Sequence, residues 1–99
     1  MHYSFHPLAE TELEGAVNFY ESRQPGLGQR FATNFDNALA LILRDPTMWA
    51  IFEGPYRLVR LEGFPYGILY NFDSEASEVI IVAVMHLHRR PGYWKSRLP

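Results

Sequence analysis

Arg57-Leu58-Val59-Arg60-Leu61, Tyr66-Gly67-Ile68-Leu69-Tyr70-Asn71-Phe72 and Val79-Ile80-Ile81-Val82-Ala83-Val84-Met85 are the stretches that decide the fold. Each has strand length, and the first two change character with a period near two. Glu62-Gly63-Phe64-Pro65 and Asp73-Ser74-Glu75-Ala76-Ser77 join them, links too short for a crossover helix. Such links predict an antiparallel meander. The third run is apolar throughout, which predicts an interior strand covered on both faces.

Upstream, the period lengthens to that of a helix. Pro7 suits a first helical position, where its missing N–H costs nothing. Ala9, Leu13, Ala16, Val17 and Tyr20 then form one stripe, with Glu10, Glu12, Glu14 and Glu21 expected off it. Gln24-Pro25-Gly26-Leu27-Gly28 breaks the pattern. A second stripe follows through Leu27, Phe31, Phe35, Ala38, Leu39 and Ile42, stopped by Asp45-Pro46. Phe31, Phe35 and Ile42 are expected in the core, and the two helices should form a hairpin. Tyr3-Ser4-Phe5 makes a short opening strand, and residues 47–56 read as a loop anchored by buried Trp49 and Phe52. The predicted order is β-α-α-β-β-β. This is an α+β fold with a helical hairpin packed on a mainly antiparallel sheet, and residues 1–99 form one domain.

Composition narrows the function. The chain is 47% hydrophobic and holds no cysteine, so it can fill a modest core and makes no disulfide or thiolate metal site. Neither a signal peptide nor a bilayer-spanning run is read, so a cytoplasmic location is expected. Net charge is −2, but residues 86–99 carry +4 against −6 in the remainder. That basic, aromatic tail, His86-Leu87-His88-Arg89-Arg90-Pro91-Gly92-Tyr93-Trp94-Lys95-Ser96-Arg97, is where a functional contact is expected.

Taken in order, the strand opening, "HPLAETELEGAVNFYESRQPGLGQRF", Arg57 to Leu61, "FPYGILYNF" and "HLHRRPGYW" resemble the RelE/ParE toxins of type II toxin–antitoxin pairs. The likeness runs from about Phe5 to Leu98. It implies a toxin held inactive by a cognate antitoxin, as a homodimer or a toxin–antitoxin hetero-oligomer, with no cofactor. RelE-like members cleave messenger RNA in the ribosomal A site, whereas ParE-like members poison DNA gyrase. Arg60 and Arg89 match two basic positions of the RelE branch. Gly67 and Leu58 fall where that branch has cations, and the low net charge also departs from it. The resemblance therefore favours a ParE-like inhibitor of gyrase. A RelE-like endoribonuclease is the alternative, with Arg60, His86, His88 and Arg89 as candidate catalytic residues. A non-toxic member that only binds antitoxin is a third reading.

For target binding, the tail supplies Arg89, Arg90, Tyr93 and Trp94. Tyr93 and Trp94 are expected first of all to fold back as core cover. His86 and His88 would share a face if the strand ran on, but the spacing brings no third ligand, so no metal site is read. Tyr66 and Tyr70 are expected to pack on the sheet. No nucleophile elbow or phosphate loop is present, and Gly26-Leu27-Gly28 is a helix-hairpin turn.

Overall fold

In the computed structural model, which describes residues 1–99, the helical hairpin forms where the two apolar stripes predict it. Strand β1 (His2–Phe5) leads into α1 (Pro7–Arg23), with Pro7 at the first turn and His6 Nδ1 accepting the Leu8 N–H at 3.1 Å. A turn at Gln24-Pro25-Gly26 leads to α2 (Leu27–Arg44). The helices approach closely at Gly28, where a Cβ would lie 2.5 Å from the Val17 carbonyl oxygen. Glu21 accepts the Gly26 and Gly28 amides there, capping α2 with a carboxylate at its positive end.

After α2 come β2 (Ile51–Glu53), β3 (Tyr56–Arg60), β4 (Tyr66–Asp73) and β5 (Glu78–His86), then a 3₁₀ helix (Tyr93–Arg97). The sheet order is β1-β5-β4-β3-β2. The β1–β5 pair is parallel and every other pair is antiparallel, so the sheet is mixed, mainly antiparallel. Within the segment read as a loop, Ile51–Glu53 is an edge strand, turned onto β3 through Gly54-Pro55. Phe52 is exposed there rather than buried. Three residues beside a proline are too few to show a period, which is why the strand is invisible to pattern.

The helices cover one face of the sheet, and their core joins Phe31, Phe35 and Ile42 to Ile68, Tyr70, Ile81 and Val84. Tyr20 stacks on Phe31, and both meet Tyr66 edge-on. Tyr66 and Tyr70 thus pack on one face, as their spacing requires. Tyr70 is fully buried and its hydroxyl donates to the Pro46 carbonyl at 2.7 Å. On the opposite face Leu69, Val82, Ala83 and Met85 are covered by Trp94, which the tail folds back over them. β5 is therefore interior and roofed on both sides, which explains its unbroken apolar run.

The β4–β5 ladder shifts register between Leu69 and Tyr70, leaving Val82 without an opposite residue. On its other side β5 pairs with β1 only as far as Ile81. Beyond that point its backbone edge is met by side chains.

Candidate functional site

The open edge of β5 is closed by two charged residues from distant parts of the chain. Val84 N–H donates to Glu12 Oε1 at 3.1 Å, and Arg97 donates to the Val82 carbonyl at 3.0 Å. Between them runs a two-pronged ion pair, Arg97 to Glu12, with both N–O distances 2.8 Å. Tyr93 adds a hydroxyl bond to Glu12 Oε2 at 2.7 Å. The Arg97 and Glu12 side chains are only 7% and 14% exposed. Burial, helped by the bond to Glu12, raises the Tyr93 hydroxyl above its ordinary pKa, and the bond to Glu12 raises Arg97.

This cluster fixes how the charges of α1 and of the tail are used. Glu12 is not part of a solvated acidic face; with Glu21 capping α2, two of the four acids on α1 serve the fold. The tail is not a free pole of four cations either, because Arg97 is spent on Glu12 and Lys95 pairs with Glu53 at 2.6 Å. Neither Glu12 nor Arg97 was singled out by pattern. A signal existed: Glu12 lies three residues after Ala9 and four before Ala16, at the border of the buried stripe, where an acid calls for a cation.

Arg89 and Arg90 remain. Arg89 lies over the Tyr93 ring, its guanidinium carbon 3.9 Å from the ring centroid and Nη1 3.5 Å from Glu12 Oε2, and its side chain is 53% exposed. Since Arg97 already neutralises Glu12, Arg89 is surplus charge on a preset platform. It borders a cleft of about 170 Å³ with Glu12, Gly15, Tyr66 and His86. The strand ends at His86, so His88 reaches that neighbourhood through a turn rather than along a strand face. His88 N–H donates to His86 Nδ1 at 3.1 Å, and the two rings lie 5.1 Å apart. Nδ1 is thereby an acceptor, which leaves Nε2 to carry the proton of a neutral His86. No three His, Asp or Glu side chains come together as a metal-ligand set.

Of the residues singled out from sequence, His86, His88, Arg89 and Tyr93 are neighbours. Trp94 is 1% exposed and belongs to the second core, so its ring is not presented to a target. Arg60 stands apart: it pairs with Gly67, which pairs in turn with Met85, a separation of about 10 Å over two strand spacings. Its side chain lines a different cleft, between α2 and β3. At Gly67 a Cβ would lie 2.8 Å from Leu58 Cδ1, so Leu58 fills the space that a side chain there would take.

Three buried or half-buried tyrosines share one direction of shift, with an expected consequence at high pH. Burial raises Tyr66 and Tyr93 and pushes Tyr70 up to about 12. In the unfolded chain all three ionise near pH 10. The folded state keeps protons that the unfolded state gives up, so their stabilisation is intact below about pH 10 and lost as pH rises toward 12. Urea midpoints should fall through that window, and less steeply in Tyr93→Phe; a flat profile would refute the assignment.

No helix is long and apolar enough to cross a membrane. Among curated proteins, none matches this sequence. Solved toxin structures share the fold. A chain of the chromosomal ParDE toxin–antitoxin system from P. aeruginosa superposes with a TM-score of 0.75 at 13% identity, over 89% of this chain and 97% of its own. The isolated E. coli RelE toxin gives 0.61 at 14% identity, over 96% and 93%. The family model described as the ParE toxin of the type II toxin–antitoxin system parDE matches residues 3–91. With its helical hairpin on a five-stranded mixed sheet, the chain belongs to the ParE family of type II toxin–antitoxin toxins.

Proposed function

We propose that this toxin arrests growth in the cytoplasm by binding a protein, with DNA gyrase as the expected target, and that a cognate antitoxin neutralises it. The observation that carries this reading is how the cations are used. Arg97 and Lys95 are engaged inside the molecule, Arg60 lies in a separate cleft, and Leu58 and Gly67 leave the intervening sheet without charge. Cleaving messenger needs cations converging on a scissile phosphate, together with groups that move a proton. Docking among ribosomal phosphates asks for more cations still. Two exposed arginines beside a stacked tyrosine suit an anchor on a protein surface better.

For the antitoxin, the groove between α1 and α2 is the surface that fits. It holds about 300 Å³, has Leu13, Val17 and Phe35 in its wall, and carries Glu14 and Asp36 beside them. A segment that orders on contact would cover the half-buried Leu13 and Val17 above the buried Phe35. Co-expression with the small gene beside its own should yield a complex with a raised melting temperature.

Purified toxin should inhibit gyrase supercoiling or trap cleaved DNA, and leave ribosome-bound messenger intact. The grouping of His86, His88 and Arg89 supports one rival, the ribosome-dependent nuclease. Codon-specific cuts in a translation extract, lost in Arg89→Ala, would establish that rival and end the gyrase reading. A folded chain that arrests nothing would mark a member that only binds antitoxin.

A further inference from the structure

One buried side-chain polar atom in the molecule has no hydrogen-bond partner, the indole Nε1 of Trp49. Such a donor is costly because it gave up water on folding and gained nothing in return. Trp49 lines the cleft of about 180 Å³ between α2 and β3. Arg60 lines the same cleft, is exposed, and makes no ion pair. Asn37 offers a free amide there, whereas the Asn34 amide is committed to the Glu62 carbonyl at 2.8 Å. The remaining wall is apolar, with Leu41 left 42% exposed. The cleft thus presents Arg60 and the Asn37 amide as accessible donors, has the sealed Trp49 N–H in its wall, carries one unpaired cation, and has an apolar shoulder. Its acid, Glu62, is exposed.

We propose that this cleft is a docking subsite for an acidic side chain of a partner polypeptide. The carboxylate would sit between Arg60 and the Trp49 N–H while a neighbouring apolar residue covers Leu41. A carboxylate suits it because it accepts from both donors at once and carries the charge that Arg60 lacks. A nucleic acid would find a single cation and the Glu62 carboxylate. The indole N–H is sealed from solvent, so the ring edge must tilt toward the cleft to meet the acceptor, and that movement makes it a reporter. The subsite does not depend on which protein the toxin arrests.

The chain contains two tryptophans, and Trp94, buried on the opposite face of the sheet, serves as an internal control. The full-length protein, labelled with ¹⁵N, would be titrated with a blocked peptide bearing glutamate between two leucines, and with its glutamine counterpart. The Trp49 indole proton should move downfield and saturate in the millimolar range while that of Trp94 stays in place. The glutamine peptide and the Arg60→Ala variant should each bind about tenfold more weakly or worse. Glu62→Gln, which removes the opposing charge, should bind more tightly. Both substitutions are at exposed positions and should leave circular dichroism unchanged. A Trp49 resonance that ignores the acidic peptide, follows both peptides equally, or is indifferent to Arg60→Ala would overturn the proposal.

Discussion

Glu12→Ala should remove much of the stability of this domain. It leaves the Arg97 side chain, 7% exposed, without this counter-charge, and takes acceptors from the Tyr93 hydroxyl and the Val84 amide. Breaking one side of a buried ion pair costs about 3–5 kcal/mol. Small domains have only about 5–15 kcal/mol in total, so a melting temperature lowered by about 15 °C or more is expected. The same physics predicts a partial rescue. In Glu12→Leu with Arg97→Met no buried charge remains, so the double variant should melt above Glu12→Ala. Thermal melts followed by circular dichroism decide it. If Glu12→Ala loses less than about 1 kcal/mol, the pair is behaving like a surface bridge and the edge-closing role is wrong.

That cluster also marks where sequence reading stops. Elements whose side chains repeat were legible. Ala9 to Tyr20 and Leu27 to Ile42 gave both helices, and Val79 to Met85 gave an interior strand, because burial imposes a period that a single chain displays. Glu12 and Arg97 meet across the whole length of the domain, and one sequence carries no periodicity for such a pair. The tail was hidden for a related reason. Arg89, Arg90, Lys95 and Arg97 are equivalent as letters, yet the fold buries the last on Glu12, ties Lys95 to Glu53, and leaves the first two outside. Trp94 was legible as core cover because a large ring near a chain end gains most by folding back. Of the candidate residues, His86, His88 and Arg89 are neighbours along the chain and in the fold, whereas Arg60 lines a different cleft. Arg60 is separated from them by strand order, which spacing along the chain does not encode.

Replacing Arg89 and Arg90 together with alanine should abolish growth arrest and leave the fold intact. Arg90 is exposed, and Arg89 contributes only a longer contact to Glu12 and its stacking on Tyr93. With Arg97 still on Glu12, losing both exposed arginines should cost the fold no more than about 1 kcal/mol. The functional loss should be far larger. An arginine held over a ring is positioned before binding, and removing one such anchor from an interface costs about 2 kcal/mol or more, roughly thirtyfold in affinity. Arg89→Lys separates charge from geometry, since an ammonium keeps the charge but cannot lie on Tyr93 as a guanidinium does, so it should be intermediate. The measurement is colony survival after induction, with circular dichroism and melting temperature compared with the parent chain. A double variant that is folded, expressed at the parent level and still fully toxic would place the active surface elsewhere, with the Arg60 cleft the next to test.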